Sequence, residues 1–315
     1  MEVGGRTRDA IADPALVGPS RAGDEVLVNV EAAELGLGSG GCDVVHANLT
    51  RGLEAQPDPT RRVMKLNYTS LQHGTAPVEG ETLSRPVASP VAVAALHGHV
   101  APLCWAFHRG ARPGSRLGYV QTEGGALPGG RSRTVRVLRE RALLAGHLTA
   151  GATFGGEGEA VSTLGALHHG LTERGWDAAV CGPGPGIVGS GSALGHGGMG
   201  ALDSAHAALS LGCPTLLAAR MSSADPRPRH RGLSHHTRTV LELLLCPVTV
   251  ALPAGQDAPA GHDRHRWERV DVEADLDDYA ATGLPDTVMG RDLRHDPLFF
   301  ASALAAGRTL ATLVS

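Results

Sequence analysis

The pattern of apolar and polar positions changes character near residue 80. In GDEVLVNVEAAEL, Val26, Val28 and Val30 alternate with Leu27, Asn29 and Glu31, the period-2 signature of a half-buried strand. The turn GLGSGG, then CDVVHANL and RVMKLNYTSLQ, continue as short strands parted by glycines. They predict a small antiparallel, barrel-like β domain over 23–80. Residues 1–22 read as a flexible arm, and GLEAQPDPTRR as a long exposed loop. Over 85–315 the apolar segments VAVAAL, RLGYVQT, HLTAGATF, DAAVCGPG, PTLLAARM and CPVTVALP alternate with helical windows near 97–110, 132–145, 157–175, 198–212 and 234–245. Strands apolar throughout, each followed by a helix, predict an α/β domain: a mostly parallel, three-layer, Rossmann-like sheet covered on both faces. Ser132 ahead of the Val135, Leu138 and Leu143 stripe, and Glu157 with Glu159 in a first turn, are helix-start signals. The tail after 254 is polar until HDPLFFASALAAGRTLATLV, which predicts a closing helix.

Composition narrows the class. Glycine supplies 43 of 315 residues without a repeat, and apolar residues make up 42%, so collagen and wholesale disorder are both excluded. A formal charge of −4 with 3% aromatics argues against nucleic acid as a partner. Lys65 stands alone among 27 arginines. That bias reads as a GC-rich genome, so arginine abundance by itself says little. The five cysteines are odd in number and widely spaced with no C-x-x-C pair, so they read as small buried thiols rather than disulfides or a thiolate zinc site. MEVGGRTRDA lacks the apolar core of a secretory signal, and the most apolar run, Leu241–Leu252, contains Glu242 and Pro247. A cytoplasmic protein without a membrane partner is expected, and its Gly- and Ala-rich helices are suited to a homodimer.

Ligands of such sheets bind beyond the strand carboxyl ends, and four connections there carry chemistry. In GPGPGIVGSGSALGHGGMG, residues 182–200, the backbone at Gly184, Gly186, Gly189 and Gly191 is suited to cradle an anion, and Ser190 and Ser192 add hydroxyls. ADPRPRHRGLSHHT gathers Asp225, Arg227, Arg229, His230, Arg231, His235 and His236. Its arginine forks suit phosphate or carboxylate, and its histidines suit a metal or proton transfer. Ser234 is placed to cap a helix starting at His235. Adjacent His235 and His236 cannot share one helix face, so at most one is expected to join His230. Glu123 before Gly124–Gly125, and Glu157 with Glu159 after Gly155–Gly156, are candidate acid/base carboxylates. His97 and His99 directly follow VAVAAL.

These segments also carry a resemblance. GDEVLVNVEAAELGLGSGGCDVVHANL, MKLNYTSLQ, ALHGHVAPL, YVQTEGGALP, TAGATFGGEGEAV, GPGIVGSGSALG and ADPRPRHRGLSHHT, in that order, resemble the bacterial domain of unknown function 3866 family over nearly the whole chain. The resemblance implies no particular activity. It implies Asp at the positions of Glu123 and Glu157, so a metal role does not carry across to those carboxylates. It also implies strands ahead of GDEVLVN, so the β unit is expected to be incomplete or its start misassigned.

The expectation is an enzyme acting on a small phosphorylated or carboxylated molecule. The glycine loop with Arg227, Arg229 and Arg231 would hold the anion, His230 or His235 would move a proton, and Glu123 and Glu157 would stand nearby. One alternative is a hydrolase using a divalent metal on His230, His236 or His97 with Asp225 and a Glu. The other is a non-catalytic ligand sensor or scaffold.

Overall fold

A computed structural model describes residues 1–37, 41–53, 58–125 and 128–314. Parts of GLGSGG (38–40), GLEAQPDPTRR (54–57) and TEGGALPGG (126–127) lie outside the described residues. The chain divides into two units, Met1–Ala76 and Pro77–Ser315.

In Met1–Ala76 the expected alternation is present: Val26 and Val28 are half-buried while Leu27 and Asn29 are exposed. This strand, Val26–Asn29, pairs antiparallel with Asp43–Asn48, which takes Ala10–Ile11 on its other edge in parallel. Residues read as an arm therefore supply a sheet strand, preceded by a hairpin of Glu2–Val3 and Arg6–Thr7. Arg8 donates to both oxygens of buried Asp43, at 2.6 and 2.9 Å. Val63–Lys65 and His73–Thr75 form a further antiparallel pair, with Lys65 buried.

Pro77–Ser315 is built on one all-parallel sheet, whose elements are numbered here. Its strands are β1 (Val91–Ala94), β2 (Leu117–Thr122), β3 (Gly146–Ala150), β4 (Gly158–Ala160), β5 (Ala178–Pro183), β6 (Thr215–Ala218), β7 (Thr249–Pro253) and β8 (Arg266–Val270). They lie in the order β4-β3-β2-β5-β1-β6-β7-β8. The helices are α1 (Val100–Gly110), α2 (Arg133–Glu140), α3 (Thr163–Thr172), α4 (Gly200–Ser210), α5 (His235–Leu243), α6 (Glu273–Ala280) and α7 (Pro297–Thr312). Alternate strand residues feed two separate cores, which is why the strands read as apolar throughout. Ala92, Ala94, Val180 and Leu216 pack with α1, α2, α6 and α7 on one face. Val91, Val93, Cys181 and Leu217 pack with α3, α4 and α5 on the other. The closing helix α7 carries fully buried Leu304 and Leu310, each worth about 2 kcal/mol of burial.

Ser132 caps α2 as expected, accepting from Val135 N at 3.2 Å. The start expected at Glu157 and Glu159 is corrected. Glycine-rich 156–158 favours extended chain over helix, Gly158–Ala160 pairs with Leu148–Ala150 as the sheet edge, and α3 begins only after its cap Ser162. Cys104, Cys181 and Cys213 are buried, whereas Cys42 is half-buried and Cys246 exposed, so the uniform expectation of buried thiols does not hold. Among the described residues no helix is long and apolar enough to cross a membrane.

From β1 the chain moves toward β2, and from β6 it moves toward β7. Connections leaving these adjacent strands diverge, the topological switch point at whose carboxyl ends open α/β sheets bind ligands. The 97–99 turn, the 184–199 glycine loop and the 219–234 Arg/His loop all leave strands at this edge.

Candidate functional site

The two long loops are pinned at their roots. Tyr119 Oη, rising from β2, donates to the carbonyls of Gly182 (3.2 Å) and Pro183 (2.9 Å) where the glycine loop leaves β5. A β-carbon on Gly125 would collide with the Gly184 carbonyl, so the backbone after β2 crosses the loop only because residue 125 is glycine. The Arg/His loop is closed by pairing of Met221–Ser222 with Gly232–Leu233. Ser234 N also donates to Arg220 O at 2.9 Å.

What these roots bring together is a cluster of four histidines. His196, at the end of the glycine loop, stacks on His236 with ring centroids 3.5 Å apart and planes 8° from parallel. His235 lies 5.4 Å from His196, and His230 lies 4.9 Å from both His235 and His236. The expectation that only one of His235 and His236 would join His230 is therefore corrected. Both sit in the first turn of α5 after the cap Ser234, where no preceding turn separates their directions, and the short 3-10 turn Pro228–His230 folds His230 back over that end.

Hydrogen bonds fix part of the tautomer pattern. His196 Nε2 lies 3.0 Å from Ala193 O; a carbonyl only accepts, so Nε2 carries the proton and Nδ1 presents a lone pair. That Nδ1, and His235 Nε2, are buried with no hydrogen-bond partner among the described residues. His236 Nδ1 accepts from Arg220 Nη1 at 2.9 Å, and His230 Nδ1 meets Ser234 Oγ at 2.8 Å. Burial first, then the Arg220 charge, lowers His230 to about 3 and His236 to about 2. His235 is lowered by burial and by His196, and His196 by burial. All four are neutral at pH 7.

Beneath them lies a charge network. Burial alone would raise the Asp225 pKa, but the hydrogen bonds from the Arg227 side chain and backbone outweigh it and hold the carboxyl well below the usual carboxylate range. Arg227 meets both carboxylate oxygens, at 2.9 and 2.8 Å. Arg220 and Arg291 approach Asp225 at 3.6 and 3.5 Å, and Arg291 also reaches Asp296 at 3.2 Å. Asp296 takes Ser222 Oγ at 2.6 Å. Three guanidiniums thus face two carboxylates. Exposed Arg229 adds a further positive charge without an ion pair among the described residues, and its Nη1 lies 3.9 Å from where a Gly191 β-carbon would stand.

Residues 9–307 match the profile of a family described as a protein of unknown function (DUF3866). The chain belongs to this family. No curated protein and no solved structure matches it.

In this DUF3866 chain, several residues singled out from the sequence stand elsewhere or are otherwise engaged. His97 is at the carboxyl end of β1, but it bonds Ser132 Oγ at 2.9 Å and Tyr119 Oη at 3.3 Å rather than joining the four histidines. Glu157 pairs with Arg139 at 2.5 Å. The Leu148–Gly158 register sets it beside His147, back from the carboxyl end of β3. Glu123 accepts from Ala152 N at 2.8 Å, while its neighbour Gly124 lies against Gly197. Ser190 and Ser192 bond each other at 2.8 Å and tie to Gly195, so they close the loop on itself. Arg227 is spent on Asp225, and Arg231 Nε donates to the Asp225 carbonyl at 3.0 Å. Asp225, held by arginines, is unsuited to ligate a metal.

Sequence reasoning missed His196, Arg220, Arg291 and Asp296. His196 had a signal, a histidine in the HGGMG run that opens α4. Arg220 had one too, as the charged residue directly after the apolar run PTLLAA, whereas Arg291 and Asp296 had none, because only the tertiary fold sets the 291–296 segment beside Asp225.

Proposed function

We propose that this protein is an enzyme acting on a small anionic substrate, phosphorylated or carboxylated, at the β1/β6 carboxyl edge. What carries this reading is the convergence of the two loops: Gly191 lies against Arg229, and His196 of the same loop stacks on His236. Three guanidiniums against two carboxylates, with Arg229 beyond them, leave the local positive surplus that an anion would neutralise. Arg229 and the glycine-loop backbone clasp the anion. His230, oriented through Nδ1 by Ser234 Oγ, is the group that moves a proton at the substrate.

The test is thermal unfolding at matched ionic strength with inorganic phosphate, a phosphate monoester and a dicarboxylate, followed by turnover assays on whichever stabilises. An anion at a hundred times its Kd should add about 2.7 kcal/mol, neutral analogues nothing, and R229A should lose at least about tenfold in affinity, or 1.4 kcal/mol. Equal responses of wild type and R229A to every anion would overturn the reading.

A further inference from the structure

We infer that His196, His235 and His236 hold a borderline divalent transition metal ion such as Zn2+. One ring nitrogen from each lies within 4.8 Å of the others, and among the described residues no other group of three or more His, Cys, Asp and Glu has this spacing. Two of those rings offer buried nitrogens with no partner among the described residues, His196 Nδ1 and His235 Nε2. A buried polar nitrogen without a partner is costly, and a shared metal ion would satisfy both; the parallel His196 and His236 rings turn to bring their nitrogens onto it. His196 is only 6% exposed, and its Nε2–H donates to the Ala193 carbonyl, the outer hydrogen bond that fixes a metal-binding imidazole in its tautomer. Neutral imidazole is the form that ligates, and it suits zinc, copper, iron and nickel over magnesium or calcium. Gly198 keeps the approach open, since a β-carbon there would stand 3.0 Å from Nδ1 of both His196 and His236. His236 Nδ1 is held by Arg220, so that bond yields to the metal, and Asp225, 3.6 Å from Arg220, takes the released guanidinium.

As cofactor of the proposed enzyme the ion rests on that reading, but its binding is measured without substrate. The full chain, purified without chelator, is analysed for metals, then stripped and titrated with Co2+, whose visible ligand-field absorption reports nitrogen ligation. About one ion per chain is expected, with Zn2+ displacing Co2+, and H196A and H235A should each weaken binding by at least about tenfold. G198A retains every ligand yet should also weaken binding, which keeps the test open if a histidine variant fails to fold. H295A, at an exposed site paired with Asp292, should bind as wild type. Absence of stoichiometric metal, or Co2+ binding unchanged in H196A, H235A and G198A, would overturn the inference, as would equal loss in H295A. R229A separates the two readings: it should keep the metal while losing phosphate. Phosphate binding that survives without any metal site would remove the metal alone.

Discussion

Acidification should destabilise the C-terminal unit through its buried neutral histidines, and His99 isolates one share of that loss. Its ring is fully buried, both nitrogens lack hydrogen bonds among the described residues, and it lies 4.5 Å from the Phe299 ring. Burial, then the Arg220 charge, lowers its pKa to about 3, against about 6.5 in the unfolded chain. A depressed histidine pKa means that the proton prefers the unfolded state. Above pH 6.5 neither state binds it and the contribution is nil. Between 6.5 and about 3 the unfolded chain alone is protonated, so stability falls by about 1.4 kcal/mol per pH unit, and below that window the loss saturates. At pH 5 the deficit is 1.5 pH units, or about 2 kcal/mol. His97, at about 4, and His147, at about 3, are lowered chiefly by burial and add losses of the same sign. The comparison is between wild type and H99F, whose ring keeps the contact with Phe299 and cannot titrate. All three tryptophans, Trp105, Trp176 and Trp267, lie in this unit, so urea unfolding followed by their fluorescence reports it directly. The drop in unfolding free energy from pH 7.5 to 5 should be about 2 kcal/mol larger in wild type than in H99F. Any packing penalty of the larger ring affects both pH values and cancels. Equal drops would refute the assignment of a neutral, unpartnered His99.

Three further outcomes are expected. D225A strands buried Arg220 and half-buried Arg291 beside one carboxylate fewer and should cost about 3–5 kcal/mol, read as a lowered urea midpoint at pH 7. Y119F removes the hydroxyl that anchors Gly182 and Pro183; it should cost about 1–3 kcal/mol and speed amide exchange across 184–196, with unchanged exchange contradicting the anchoring role. S162A deletes the α3 cap that accepts from Gly165 N at 2.9 Å and should cost about 1 kcal/mol, measured in the same urea experiment.

The central strands and their covering helices were legible because burial on both faces leaves a continuous apolar run, and Ser132 and Ser234 mark the starts of α2 and α5. β8 escaped this rule. Arg266–Val270 lies at the sheet edge with Arg266 and Arg269 exposed and Glu268 half-buried, so neither run nor clean alternation marks it. β4 escaped too, as three residues whose extended form depends on pairing with β3. At the site, the chemistry of ADPRPRHRGLSHHT was readable from side-chain density alone, but the division of labour within it was not. Arg227 and Arg229 look equivalent two residues apart, yet the first is locked on Asp225 and the second faces Gly191.

By itself, then, the sequence determined the parallel α/β architecture, the two loops at its carboxyl edge and the capped start of α5, since each depends on residues within a few positions of one another. The tertiary structure decided that His196 stacks on His236, that Arg291 and Asp296 complete the network under Asp225, and that His97 and Glu157 are engaged elsewhere. Those outcomes follow from strand order and register, which bring distant segments together through backbone pairing and burial, and no local pattern of residues records which segments those will be.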